Sequence, residues 1–176
     1  IYNRPEGLRN TLESFINQSY TNIEIIIADN CSPDPEVEKI AREYVLKDSR
    51  VSYYRHDSNR GWGYNTAFVI EKAQGDFFMR ATDDDIWDRT YIEKVFAQFS
   101  GGNDIIACMS NFEEVDVNGV KSKIHISDHL PLLNQFTTEN QIQNIRNYIS
   151  QYEGFGKALI YGAIIRTKYM KSDIVK

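Results

Sequence analysis

Over the first hundred positions the apolar residues switch between a helical period and short unbroken runs. Leu8, Leu12, Phe15 and Ile16 recur at i, i+4, i+7 and i+8. With Asn3 as a cap and Pro5 in the first turn, they predict a helix. A polar turn, Gln18-Ser19-Tyr20-Thr21-Asn22, ends it. Glu24-Ile25-Ile26-Ile27-Ala28-Asp29 is nearly all apolar, which is the pattern of a parallel strand covered on both faces. Pro35 opens a second helix with Val37, Ile40, Ala41, Tyr44 and Val45 on one face, and residues 51–55 predict a second strand. A third helix is expected over 64–73, stopped by Gly75 and followed by a strand. Ile92, Val95, Phe96 and Phe99 mark a fourth, closed by Gly101-Gly102. Helix alternating with strand predicts an α/β fold with a mostly parallel sheet.

The pattern changes after residue 100. Residues 105–109 predict a strand, and 113–117 with 120–126 flank Asn118-Gly119, a strong hairpin signal. Residues 127–138 read as a surface loop, 140–150 as a helix, 158–165 as a strand and 167–176 as the start of a helix. A parallel sheet whose first visible element is a helix calls for a strand ahead of it. Only Ile1 and Tyr2 could belong to that strand, and the last helix runs to Lys176. The chain therefore reads as a fragment, its N-terminal strand and C-terminal part missing.

Composition narrows the class. The 176 residues suffice for one domain with a sizeable core, and 41% hydrophobic with 26% charged residues is a globular balance. A net charge of −5 argues against a nucleic-acid partner. No apolar run is long enough to span a bilayer, and no signal peptide is visible. Cys31 and Cys108 make neither a disulfide framework nor a zinc site, and His56, His125 and His129 lack ligand spacing. The expected location is cytoplasmic, with a peripheral membrane role left open.

The candidate chemistry lies in Gly75-Asp76-Phe77-Phe78-Met79-Arg80-Ala81-Thr82-Asp83-Asp84-Asp85-Ile86-Trp87, which reads as a helix stop, a strand, then three consecutive carboxylates. Like charges side by side repel. A divalent cation reverses that sign, because Mg²⁺ or Mn²⁺ takes hard oxygen ligands, one or two from protein and the rest from phosphates and water. On its own the triplet is equally a solvated turn, and Asp88 reads as a cap for the helix near Thr90. Tyr2-Asn3-Arg4 and Asp29-Asn30 also lie at strand carboxyl ends. Right-handed parallel topology brings all three loops to one edge, where open α/β sheets bind ligands. Arg60 is open between a phosphate or base contact and a solvated surface residue. Trp62 and Tyr64 are open between base stacking and ordinary packing.

An ordered set of motifs now carries a resemblance. Ile1-Tyr2-Asn3-Arg4, Leu12-x-Ser14-x-x-x-Gln18-Ser19-Tyr20-x-Asn22-x-Glu24-Ile25-Ile26-Ile27-x-Asp29-Asn30-x-Ser32, Asn59-Arg60-Gly61, Ala73-x-Gly75-Asp76-Phe77 and Thr82-Asp83-Asp84-Asp85-Ile86-Trp87 resemble family 2 glycosyltransferases of the GT-A fold. The resemblance implies a Rossmann-like three-layer sandwich forming one catalytic domain over 1–176. Residues 1–100 would be its nucleotide-sugar half and 101–176 the start of its acceptor half. It further implies a nucleotide-diphosphate sugar donor, UDP-linked first of all, a Mg²⁺ or Mn²⁺ cofactor, and transfer with inversion to a glycan or lipid-linked acceptor. The setting would be polysaccharide or cell-wall biosynthesis. By position, Tyr2, Asn3, Asp29, Asn30 and Arg60 would bind the donor, with Asp29 on the base. Asp83 would hold ribose or sugar hydroxyls, Asp84 the metal, and Asp85 would support it. Thr82 stands where the family's pattern often has its first Asp. The general base is expected beyond Lys176; Glu153 is a weaker acceptor-loop candidate. Two other readings stand beside this one: a non-catalytic nucleotide-sugar-binding domain, and a sugar nucleotidyltransferase of similar architecture.

Overall fold

The computed structural model describes residues 1–83, 85–101, 105–110, 116, 120–121 and 162–171. The chain divides into two compact units, 1–108 with 164–176, and 109–163. In the first unit, helix α1 (Pro5–Ile16) begins with proline and buries Leu8, Thr11, Leu12 and Phe15. Strand β1 (Ile25–Asp29) follows, then α2 (Pro35–Lys47) and β2 (Val51–Arg55). Strands β1 and β2 pair in parallel, from Ile25 opposite Val51 to Asp29 opposite Arg55. The two helices close over them on a core of Leu8, Leu12, Ile27, Val37, Ile40 and Tyr44. Burying each such aliphatic side chain is worth roughly 1.5–3 kcal/mol, so this cluster anchors the unit.

One cap differs from expectation. Asn3 does not cap α1. The N-cap is Arg4, without a side-chain bond, while Asn3 takes a left-handed φ of 57° that asparagine tolerates. Asp34 caps α2, its carboxylate accepting from the Glu36 N–H. Helix α3 (Gly61–Lys72) starts three residues before the expected position 64. The glycines that read as loop are what allow this. Gly61 has φ +82°, and its N–H donates to Asn59 Oδ1.

Strand β3 (Phe77–Met79) leads through the acidic segment to α4 (Tyr91–Ala97) and a 3₁₀ turn (Gln98–Gly101). Asp88 lies two residues ahead of the Thr90 N-cap, and its carboxylate takes the Thr90 N–H and hydroxyl. Strand β4 (Ala107–Cys108) is shorter than the expected 105–109. Strand β5 (Ile164–Arg166) ends one residue later than expected and runs into α5 (Thr167–Met170). Both β3 and β4 pair with β5 antiparallel, giving a three-stranded sheet of order β3-β5-β4 separate from the parallel β1–β2 pair. In the second unit the Asp116 N–H donates to the Val120 carbonyl at 2.9 Å. The Asn118-Gly119 hairpin turn, the 127–138 loop, the 140–150 helix, Glu153, His125 and His129 lie outside the described residues.

Among the described residues β1 and β3 are not bonded to each other. A cavity of about 1220 Å³ adjoins both, lined by Leu12, Ile25, Ile27, Val69, Phe78 and Met79 among others. Ile1 enters it at one end, its ammonium donating to the Ala28 carbonyl at 2.8 Å and its carbonyl accepting from Asn30 N–H at 3.0 Å.

Candidate functional site

The three polar loops do converge. The Asn3 N–H donates to Ser32 Oγ at 2.9 Å, and Asn3 Oδ1 accepts from the Asp34 N–H at 3.3 Å. This joins the start of the chain to the loop after β1. Arg4 reaches the acidic loop, with Nη1 3.4 Å from Asp83 Oδ1. Asn30, buried at 4% exposure, adds a fourth segment: its amide donates to Asn59 Oδ1 at 2.8 Å and its Oδ1 accepts from the Arg60 N–H at 2.9 Å. All of this sits at the carboxyl ends of β1 and β3, as the topology predicts.

The resemblance implies a contact from Asp29 to the nucleotide base; in the structure its side chain has 0% exposure. Its Oδ1 accepts from the Ser32 N–H at 2.8 Å; its Oδ2 accepts from Tyr53 Oη at 2.8 Å and Arg55 Nη1 at 2.9 Å. Burial pushes this carboxyl up, but the hydrogen bonds from Ser32 and Tyr53 and the charge of Arg55 outweigh it and hold it below its ordinary value. Tyr53 is pushed up to about 12 by burial and by its bond to Asp29. The carboxylate is fully engaged inside the chain and shapes the loop. Tyr53 and Arg55 were not assigned from sequence. The usable signal was their i, i+2 spacing on β2, which turns both toward one face.

The remaining candidates are more open. Tyr2 is 47% exposed. The Arg60 guanidinium stacks on the Tyr64 ring, 3.6 Å from its centroid. Trp62, 70% exposed, has the Arg80 guanidinium 5.6 Å from its ring centre. Three arginines (Arg4, Arg60 and Arg80) thus belong to the same edge as the aspartates, an arrangement suited to a ligand that carries both anionic oxygens and a flat ring. Asp83 is half-buried against Arg4; Asp85 is exposed and accepts from the Thr82 hydroxyl. Asp84 lies outside the described residues. Among the described residues no group of three His, Cys, Asp or Glu side chains gathers as a ready-made metal cage. The carboxylates of this loop are hard oxygen donors, the type Mg²⁺ and Mn²⁺ take in ones and twos.

Comparison with known proteins adds four findings. The family described as Glycosyl transferase family 2 matches residues 1–166. An uncharacterized glycosyltransferase of Haemophilus influenzae is 32% identical over 142 residues, which cover 77% of this chain and 56% of that protein. Among solved structures, Staphylococcus aureus TarS 1–349 in complex with UDP superposes with a TM-score of 0.54 at 19% identity, covering 84% of this chain and 53% of TarS. The Pyrobaculum calidifontis mannosyltransferase PcManGT, in complex with GDP-Man and Mn²⁺, superposes at 0.55 with 16% identity, covering 61% of this chain and 32% of that one. The chain thus spans little more than half the length of the Haemophilus relative, and the structural likenesses identify the GT-A α/β fold.

Proposed function

This chain belongs to glycosyl transferase family 2, and from that premise we propose that it carries the sugar-donor site of a glycosyltransferase using a nucleotide-diphosphate sugar. The observation that carries this reading is the convergence of Tyr2-Asn3-Arg4, Asn30, Asn59-Arg60 and the acidic loop on one sheet edge. The sugar nucleotidyltransferase alternative falls with the family assignment.

In this reading Tyr2 and Arg60 contact the nucleotide, beside the loop that Asn30 holds in place. Asp29 acts one step back, as the residue that sets the loop. Asp83 accepts from ribose or sugar hydroxyls once Arg4 turns from it toward phosphate. Asp84 and Asp85 would hold Mg²⁺ or Mn²⁺, which supplies Lewis-acid stabilisation of the negative charge gained by a departing diphosphate. Arg4 and Arg80 add fixed positive charge at the same edge. The UDP complex of TarS and the GDP-Man and Mn²⁺ complex of PcManGT support a diphosphate ligand and a divalent ion. Inversion at the anomeric carbon and a glycan or lipid-linked acceptor in surface polysaccharide synthesis complete the proposal. No helix among the described residues is long and apolar enough to cross a membrane.

Saturation-transfer NMR with UDP-GlcNAc, UDP-glucose and GDP-mannose in the presence of Mn²⁺ tests it. Transfer to the base and ribose protons of at least one of them is expected. A folded chain that transfers to none would overturn the proposal.

A further inference from the structure

Two polar residues of the α1 segment, Thr11 and Gln18, have no part in the chemistry above, yet both are buried. Thr11 is 8% exposed and Gln18 is 4% exposed, both on or just past the face of α1 that also buries Leu8, Leu12 and Phe15. A polar group in such a place must be bonded or it destabilises the fold. Both are bonded to the segment that carries the aspartates.

The Thr11 hydroxyl lies 3.3 Å from the Thr82 carbonyl and 3.1 Å from the Asp85 carbonyl, and it can donate to either. The Gln18 amide donates to the Asp88 carbonyl at 2.7 Å and to its own helix at Ser14 O, 3.1 Å. Its Oε1 accepts from the Ile92 N–H at 3.1 Å. That N–H is one of the orphan donors in the first turn of α4. The Ser19 N–H adds a bond to the Arg89 carbonyl at 2.8 Å. Gly7 completes the seat: a Cβ there would stand 2.0 Å from the Asp83 carbonyl oxygen, so α1 meets the loop backbone to backbone. Three consecutive carboxylates repel one another and would splay a free loop. One face of a single helix fastens the loop at both ends and leaves the side chains of Asp83 and Asp85 outside these bonds.

We infer that Thr11 and Gln18 are positioning residues, two clamps that hold the acidic loop against α1 in the geometry that accepts a metal-bound diphosphate. This rests on the proposed donor site, and the experiment keeps the two apart. Amide hydrogen exchange is measured on the chain and on Thr11→Val, Thr11→Ser and Gln18→Met. UDP affinity is measured in parallel, with Mn²⁺ and with EDTA. Thr11→Val and Gln18→Met are expected to speed exchange over residues 82–92 by about tenfold or more, with β1 and β2 unchanged, because the clamps govern a local opening. Thr11→Ser, which keeps the hydroxyl, stays near wild type. The gain in UDP affinity that Mn²⁺ brings should fall about fivefold or more in the two disruptive variants, a loss of roughly 1 kcal/mol, while affinity in EDTA holds. Unchanged exchange over 82–92, or an equal rise throughout the unit, would overturn the inference. Thr11→Val removes one donor at near-constant shape and decides the matter if Gln18→Met fails to fold. If the wild-type chain shows no Mn²⁺-dependent UDP binding, the proposed function fails, and the exchange data still decide the clamps.

Discussion

Asp29 has no exposed side-chain surface and accepts from the Ser32 N–H, the Tyr53 hydroxyl and the Arg55 guanidinium. Its place at the end of an apolar run was legible in the sequence. Its role was not, because Tyr53 and Arg55 face it only once the β1–β2 register is known. Asp29→Ala removes the acceptor of the Ser32 N–H and the Tyr53 hydroxyl, while Arg55 keeps the Ser32 carbonyl and Glu38, and urea unfolding at neutral pH should show a loss of about 1–3 kcal/mol. The pH dependence follows from the direction of its shift. A carboxyl held below its ordinary value in the folded state stabilises above its unfolded value, near pH 4, and that contribution disappears as pH falls through the folded value. Asp29→Asn should therefore unfold more readily at neutral pH yet lose less of its remaining stability between about pH 4 and pH 2. A variant whose acid titration parallels wild type would remove Asp29 from this role.

At the scale of elements, the helices and β1 to β3 were legible because proline starts, apolar periods and glycine stops are local signals. The early start of α3 was not. It depends on Asn30, a residue three decades away in sequence, which holds Asn59 and Arg60 so that Gly61 can begin the helix. Asn30→Leu would remove the acceptor of the Arg60 N–H and one donor to Asn59 Oδ1, a cost of about 0.5–1.5 kcal/mol. Faster amide exchange at Arg60 and Gly61, with β2 unaffected, is the expected signature. The antiparallel pairing of β5 was equally hidden, since nothing in 158–166 states which strand it will meet.

For the whole molecule, a cavity of about 1220 Å³ adjoins β1 and β3. Ile1 already pairs beside Asp29 in the parallel sense, so residues placed ahead of it would continue along β1 into the cavity. A short Val- and Ile-rich extension fused before Ile1 should raise Tm by about 4–8 °C, the equivalent of roughly 2 kcal/mol for a chain of this size. The same extension with alternating lysines should not. Equal Tm values for the two fusions would show that the cavity does not take a strand.

The central claim is a metal-dependent diphosphate site on the acidic loop, and calorimetric titration of UDP tests it most directly. The chain and Asp84→Ala are titrated with Mn²⁺ present and again in EDTA. Binding that needs Mn²⁺ in the wild-type chain, and that Asp84→Ala abolishes, is the expected result. Binding that is indifferent to both EDTA and Asp84→Ala would contradict it.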